Sequence, residues 1–309
     1  MKGCAVQRVR AQIGCESKLA EAYTGKKVTV AVLDTGIVSH PDFSGRIVAF
    51  RDFIRGGSDP YDDAGHGTHV AGCLAGSGLA SAGKYRGVAP DCRLVVGKVL
   101  DRGGAGDTYM MLEALRWVME LKDSLGIRVL NISVGFEDHV NLEKIRKLLK
   151  ALDEVWRAGI LIVVAAGNKG PRPGSISPLG MGSHVLTVGC HDGDYNGGGV
   201  TLCAKYSGRG PSTTVMKKPD LVAPGTNIMA ASARCRKRGN TYAMAYEAKS
   251  GTSFAAPLVS GAAALLWEQN PRLTAQEVKR RICYSARDLQ EPWSRQGWGM
   301  LDVRAMLEG

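Results

Sequence analysis

The chain has 309 residues, 44% hydrophobic and 22% charged, the balance of a folded protein with a sizeable apolar core. No run is apolar for long enough to span a membrane as a helix, and the 40 glycines point to tight loops and close backbone approaches rather than disorder. The net charge of +11 comes from local runs, Lys144-Ile145-Arg146-Lys147, Arg234-Cys235-Arg236-Lys237-Arg238 and Lys279-Arg280-Arg281. No aromatic residues interleave with these runs and no nucleic-acid motif accompanies them, so they read as solvated basic faces and nucleic acid is not expected as a partner.

The eight cysteines (Cys4, Cys15, Cys73, Cys92, Cys190, Cys203, Cys235, Cys283) show no CxxC spacing. The N-terminus has charge but no hydrophobic export segment. Together these predict free thiols in a reducing cytoplasm and give no support for a cysteine metal site.

Taken in chain order, residues 28–33 form a short β-branched run of the kind found in buried parallel strands. The run ends at Asp34-Thr35-Gly36, which places Asp34 at a strand's carboxyl end, where open α/β sheets hold their chemistry. A helix is expected to begin at His66 in His66-Gly67-Thr68-His69-Val70-Ala71-Gly72, with His69 packed inside it. Residues 94–100 read as a strand, and Asp107 as the cap of a helix over 108–122. Residues 129–133 and 160–166 are further strands, ending in Val134-Gly135 and Gly167-Asn168, and between them Asn141 caps a basic amphipathic helix reaching residue 157. After a short strand at 185–188 the pattern loosens through a glycine-rich stretch at 193–199.

The sequence from Ala255 to Trp267 is apolar all round except for Ser260, so it predicts a buried central helix, with Pro257 near its first turn. Ser253 then sits where the helix N-terminus offers unpaired N–H groups and the positive end of its dipole. Thr274-Ala275-Gln276-Glu277 is a capping box for a last helix. Alternating strands and helices predict an α/β fold, a doubly wound, mostly parallel sheet flanked by helices in a single domain.

Asp34, His66 and Ser253 therefore stand at three element boundaries where side chains converge. A serine becomes a competent nucleophile when an imidazole takes its proton, and a buried carboxylate fixes the imidazole tautomer and stabilises its cation. Asn168 ends a strand, and its side-chain N–H could join the backbone N–H of Ser253 in stabilising an oxyanion.

Val32-Leu33-Asp34-Thr35-Gly36, His66-Gly67-Thr68-His69-Val70-Ala71-Gly72, Ala165-Ala166-Gly167-Asn168 and Gly251-Thr252-Ser253-Phe254-Ala255-Ala256-Pro257 resemble the signature blocks of the subtilisin-like serine proteases, in the same order. Tyr61-Asp62-Asp63, Gly83-Lys84-Tyr85-Arg86-Gly87-Val88-Ala89-Pro90 and Ser207-Gly208-Arg209-Gly210-Pro211 resemble a bacterial intracellular branch, and the likeness covers nearly the whole chain. The resemblance implies a serine endopeptidase with Asp34, His66 and Ser253 as its triad, Asn168 in its oxyanion hole, and no cofactor for catalysis. A processing protease with one narrow target would carry the same blocks; a silent peptide-binding relative would normally have lost a triad residue, and none is lost.

The resemblance also implies protein or peptide substrates bound as an extended strand between Ser133-Val134-Gly135 and Gly104-Ala105-Gly106. Ala165, Ala166 and Gly167 would wall the pocket for the side chain before the scissile bond, Ser175-Ile176-Ser177 would lie near its base, and Lys169 would stand at its rim and favour a substrate carboxylate. Residues 1–26 are too short for a folded prodomain ahead of a peptidase domain at 27–309. Asp42 matches one ligand of a calcium site common in the family, but residues 76–84 supply no carboxylate or Asn to complete it. Asp52, Asp59, Asp62 and Asp63 crowd a short loop that could hold structural calcium through oxygens, or equally be a solvated acidic loop.

Overall fold

Seven short strands rich in Val, Ile, Leu and Ala make one parallel sheet: β1 (Thr29–Asp34), β2 (Ile47–Asp52), β3 (Arg93–Lys98), β4 (Ile127–Ile132), β5 (Leu161–Ala165), β6 (Val185–Cys190) and β7 (Leu221–Ala223). The computed structural model describes residues 6–134, 141–192, 202–211 and 217–309. The strand order is β2-β3-β1-β4-β5-β6-β7, with Val32 opposite Val96 on one side and Asn131 on the other. Chain-order progression reverses around β1, so its carboxyl end opens at the point where such sheets place a site.

Two antiparallel pairs follow, β8 (Ile228–Ala231) with β11 (Tyr246–Lys249), and between them the hairpin of β9 (Arg236–Arg238) and β10 (Thr241–Ala243). The helices are α1 (Val6–Gln12), α2 (Lys18–Glu21), α3 (His66–Ala75), α4 (Thr108–Leu125), α5 (Leu142–Arg157), α6 (Cys203–Tyr206), α7 (Thr252–Gln269), α8 (Ala275–Tyr284), α9 (Trp293–Gln296) and α10 (Val303–Glu308).

Side chains alternate across each strand, and the two faces build two cores. Val30, Val32, Val129, Leu161 and Val163 pack towards α3 and α7. Ala31, Leu33, Leu130, Ile162 and Val164 pack towards α4 and α5. In α7 every residue except Ser253, Glu268 and Gln269 is buried, as the unbroken apolar run requires. Gly261 allows its close approach to the chain at Val88, whose Cβ would lie 2.6 Å from a Cβ added there. Ser260 donates to Asn131 Oδ1 at 2.9 Å and Asn131 donates to Ser133 Oγ at 2.9 Å, which ties α7 to β4 through satisfied polar groups.

The expected caps form: Asp107 accepts from Tyr109 N, Asn141 from Glu143 N, and Thr274 with Glu277 makes the capping box. Two expectations change. Helix α7 begins at Thr252, so Pro257 is its sixth residue rather than part of its first turn. Proline has no N–H, and the group that lacks its helical donor four residues earlier is the Ser253 carbonyl. The cysteines are not all free: Cys190 at the end of β6 is joined to Cys203 at the start of α6, Cα atoms 5.4 Å apart. Sequence spacing could not see that α6 lies against the end of β6, where Cys190 N also donates to Ser207 Oγ at 2.9 Å. Cys15, Cys73, Cys92, Cys235 and Cys283 are free.

Candidate active site

Asp34 ends β1 fully buried, and His66 opens α3 with its side chain 30% exposed. His66 Nδ1 and Asp34 Oδ1 are 2.7 Å apart, and the same oxygen accepts from Thr35 N at 2.7 Å. Asp34 Oδ2 is shielded from water and has no hydrogen-bond partner among the described residues. Burial disfavours the charged imidazole, but the Asp34 charge and hydrogen bond outweigh it and hold His66 above its ordinary value of 6.5; Lys249 pushes weakly the other way and Asp62 weakly up. With Nδ1 turned to the carboxylate, Nε2 is the nitrogen left to exchange protons.

Ser253 is the second residue of α7 and is half-buried. Its two neighbours fix its place. Thr252 N and Oγ1 both lie 3.0 Å from Asn168 Oδ1, and Thr252 Oγ1 accepts from Gly167 N at 3.1 Å. On the other side, the Phe254 ring packs on His66, centroids 5.2 Å apart, and on His69 at 4.5 Å. Two separate contacts therefore draw the start of α7 to Asn168 and to His66. Because the Asn168 oxygen is anchored by Thr252, its Nδ2 is the end turned away from that anchor, and it lies 3.3 Å from a Cβ added at Gly251. His69 is fully buried, its Nε2 3.0 Å from the Ile228 and Glu247 carbonyls, and burial pushes its pKa down to about 3. It is a neutral packing residue.

Ser133 and Val134 are buried and the Ser133 hydroxyl is engaged by Asn131, which leaves only their backbone for a substrate; Gly135 lies outside the described residues. Gly104, Ala105 and Gly106 form an exposed turn after β3. Both backbone groups of Ala105 bond to Asp101, which stiffens that turn. Ala165 and Ala166 are buried, Gly167 adopts φ 93°, and Ser177 closes against them through Ser177 N to Ala166 O at 2.8 Å and Ser177 Oγ to Ala165 O at 3.1 Å. Gly208 packs on the same segment, where an added Cβ would stand 2.5 Å from Ala166 O. Asn168 and Lys169 are exposed.

The acidic loop has a structural use that the sequence does not reveal. Asp62 Oδ1 accepts from Thr35 Oγ1, Ala64 N and Gly65 N, and its Oδ2 from Thr68 N and Thr68 Oγ1. Gly65, the N-cap of α3, has no side chain, so Asp62 supplies that cap from outside and holds the helix that carries His66. Asp63 pairs with the buried Lys98 at 2.8 Å, and Lys98 also donates to the Thr35 and Leu100 carbonyls. Asp52 accepts from Ile54 N, Arg55 N and Tyr61 OH, and Asp59 is exposed. A calcium ion needs six to eight converging oxygens, whereas Asp52, Asp62 and Asp63 face N–H, O–H and ammonium donors and do not fit one. Asp42 is likewise filled, by Gly78 N, Ala80 N and Tyr246 OH. The one cluster of potential metal ligands among the described residues is Cys190, Asp192 and Cys203, and its two sulfurs are bonded to each other.

Replacing Asp62 by alanine should lower stability by about 2–5 kcal/mol, because five donors lose their acceptor in a buried place. The measurement is the thermal midpoint. An unchanged midpoint would mean that α3 is held by other contacts.

The model of the Subtilase family matches residues 25–299. The chain belongs to the subtilase family. It is 40% identical over 275 residues to the serine protease AprX of Bacillus subtilis (strain 168), covering 85% of this chain and 62% of AprX, and 33% identical over 294 residues to subtilisin DY of Bacillus licheniformis, covering 94% of each. Among solved structures it resembles sphericase, with a TM-score of 0.79, 27% identity and coverage of 97% of this chain and 100% of that one. It also resembles the S41 psychrophilic protease, with a TM-score of 0.77, 29% identity and coverage of 96% and 97%. This subtilase thus spans just under two thirds of AprX and nearly all of subtilisin DY. No described helix is long and apolar enough to cross a membrane.

Proposed function

We propose that this subtilase is a serine endopeptidase in which Ser253 attacks the peptide carbonyl, His66 carries the proton and Asp34 orients and charges His66. The observation that carries the reading is the 2.7 Å contact between His66 Nδ1 and a buried carboxylate, with the Phe254 ring of α7 packed on the same imidazole. In this mechanism His66 takes the Ser253 hydroxyl proton as the Oγ–carbonyl bond forms, then gives it to the departing amine when the C–N bond breaks. A water molecule repeats the cycle on the acyl-enzyme. The oxyanion is met by Asn168 Nδ2 and the Ser253 backbone N–H at the positive end of α7.

The substrate lies extended, its backbone meeting the segments at Ser133-Val134-Gly135 and Gly104-Ala105-Gly106, with Ala165, Ala166 and Gly167 walling the pocket of the residue before the scissile bond and Lys169 at the rim. The chemistry draws on no cofactor. A narrow processing role would use the same groups, and a cleavage profile on a mixed peptide library separates it from general turnover.

Asn168→Ala tests the oxyanion assignment. The expected result is a fall in kcat of about 10²–10³-fold with KM nearly unchanged, the magnitude known for the oxyanion asparagine of subtilisin and carried over here. A change confined to KM would make Asn168 an anchor for Thr252 only.

A further inference from the structure

The hairpin β9–β10 carries an exposed basic cluster that the mechanism does not use. Five basic residues and one acidic residue lie between 234 and 249. Arg236, Lys237 and Arg238 are exposed and have no carboxylate partner among the described residues, whereas Arg234 pairs with Glu247 at 3.0 Å. The root of this hairpin touches the catalytic helix. The Ala233 side chain lies 3.3 Å from a Cβ added at Gly65, the residue before His66, and Lys249 Nζ donates to Gly65 O at 2.7 Å. From that contact Arg236 is three residues of chain away and Arg238 five, at most about 11 and 18 Å. The hairpin also overhangs a cleft of about 520 Å³ between Lys237 and Tyr242 on one side and Ser39, His40, Ile47 and Pro60 on the other.

The chemistry says which part of a substrate passes here. His66 must reach the departing amine, so the peptide C-terminal to the scissile bond leaves on the His66 side, while Asn168 holds the acyl side. An extended peptide advances about 3.3 Å per residue. We propose that Arg236, Lys237 and Arg238 form a subsite on the leaving-group side that selects substrates with carboxylates about three to five residues beyond the cleaved bond. This rests on the peptidase reading above. The attraction is exposed, so it acts as a screened, salt-sensitive preference rather than an absolute requirement.

The test uses two peptides identical up to the scissile bond, with Glu or Gln at the third to fifth positions past it. With the unaltered protein at low salt, kcat/KM should favour the Glu peptide about 3- to 10-fold, and about 0.5 M salt should bring the ratio near one. In the combined variant Arg236→Glu, Lys237→Glu, Arg238→Glu the ratio should fall below one. A ratio near one in the unaltered protein, or a preference that survives charge reversal, overturns the assignment. A ratio of one together with an oligonucleotide shift that the variant loses overturns it in favour of nucleic acid. Cleavage of the Gln peptide by the unaltered protein checks the peptidase reading separately: with no cleavage both proposals fall, and with cleavage but no preference only the hairpin subsite falls.

Discussion

Ser253→Ala should remove peptidase activity almost entirely, lowering kcat by about 10⁶-fold, the scale known for loss of the nucleophile in subtilisin. Alanine fits wherever serine fits, and among the described residues the serine side chain makes no hydrogen bond to the rest of the fold: α7 is seated through Thr252, Phe254 and its buried apolar length. The thermal midpoint should therefore stay close to that of the unaltered protein, which separates loss of chemistry from loss of structure. Retained turnover in this variant would remove Ser253 from the mechanism.

Asp34→Asn should lower kcat by about 10⁴-fold, since the amide removes the charge that supports the imidazolium and can hold the wrong tautomer. The pH dependence gives a second readout. Activity requires neutral His66, so kcat/KM falls as pH drops through the pKa of the free enzyme. Burial works against the charged form, but Asp34 raises the value above 6.5, so the acid limb of the unaltered protein should have its midpoint above that value. In Asp34→Asn the raising charge is gone while burial and Lys249 still lower the value, so the residual activity should persist to lower pH, with its midpoint below 6.5. Stability follows the same sign. A raised folded-state pKa adds stability that is complete below the unfolded value and is lost as pH rises through the folded one. A midpoint that does not move in Asp34→Asn would mean that the carboxylate does not govern His66.

Much of this arrangement is legible in the sequence. Asp34 and His66 lie at element ends and Asn168 just past the end of β5, and each place is marked by a change of pattern: a β-branched run stopping at Asp-Thr-Gly, a helix opening after an acidic loop, a strand followed by Gly-Asn. The buried helix α7 announces itself because an apolar stretch with no polar face cannot stand at a surface. Strand β2 gave no such signal: it is an edge strand with an exposed Arg51 and a half-buried Ala49, so its composition is mixed.

What stayed hidden depends on contacts between distant segments. Asp62 reads as one of four crowded carboxylates, and only the fold shows that it caps α3 across a turn whose N-cap is glycine. Lys98 falls inside the strand expected over 94–100 with nothing to mark it, yet it is 1% exposed and held by Asp63 and two carbonyls. Thr252 looks like a filler between Gly251 and Ser253, but it fixes Asn168 with its N–H and its hydroxyl. The basic run at 234–238 reads as a solvated face. Its attachment beside Gly65 appears only when the chain turns back at Ala233.

Covalent labelling reads out the nucleophile itself. The protein is treated with a fluorophosphonate at neutral pH, digested, and the modified peptide mapped by mass spectrometry. A single adduct on Ser253 is expected, formed in step with loss of peptidase activity and much slower in Asp34→Asn, because only a serine whose proton is taken by His66 displaces fluoride from phosphorus quickly. No adduct, or one on another residue with activity lost in parallel, would contradict it.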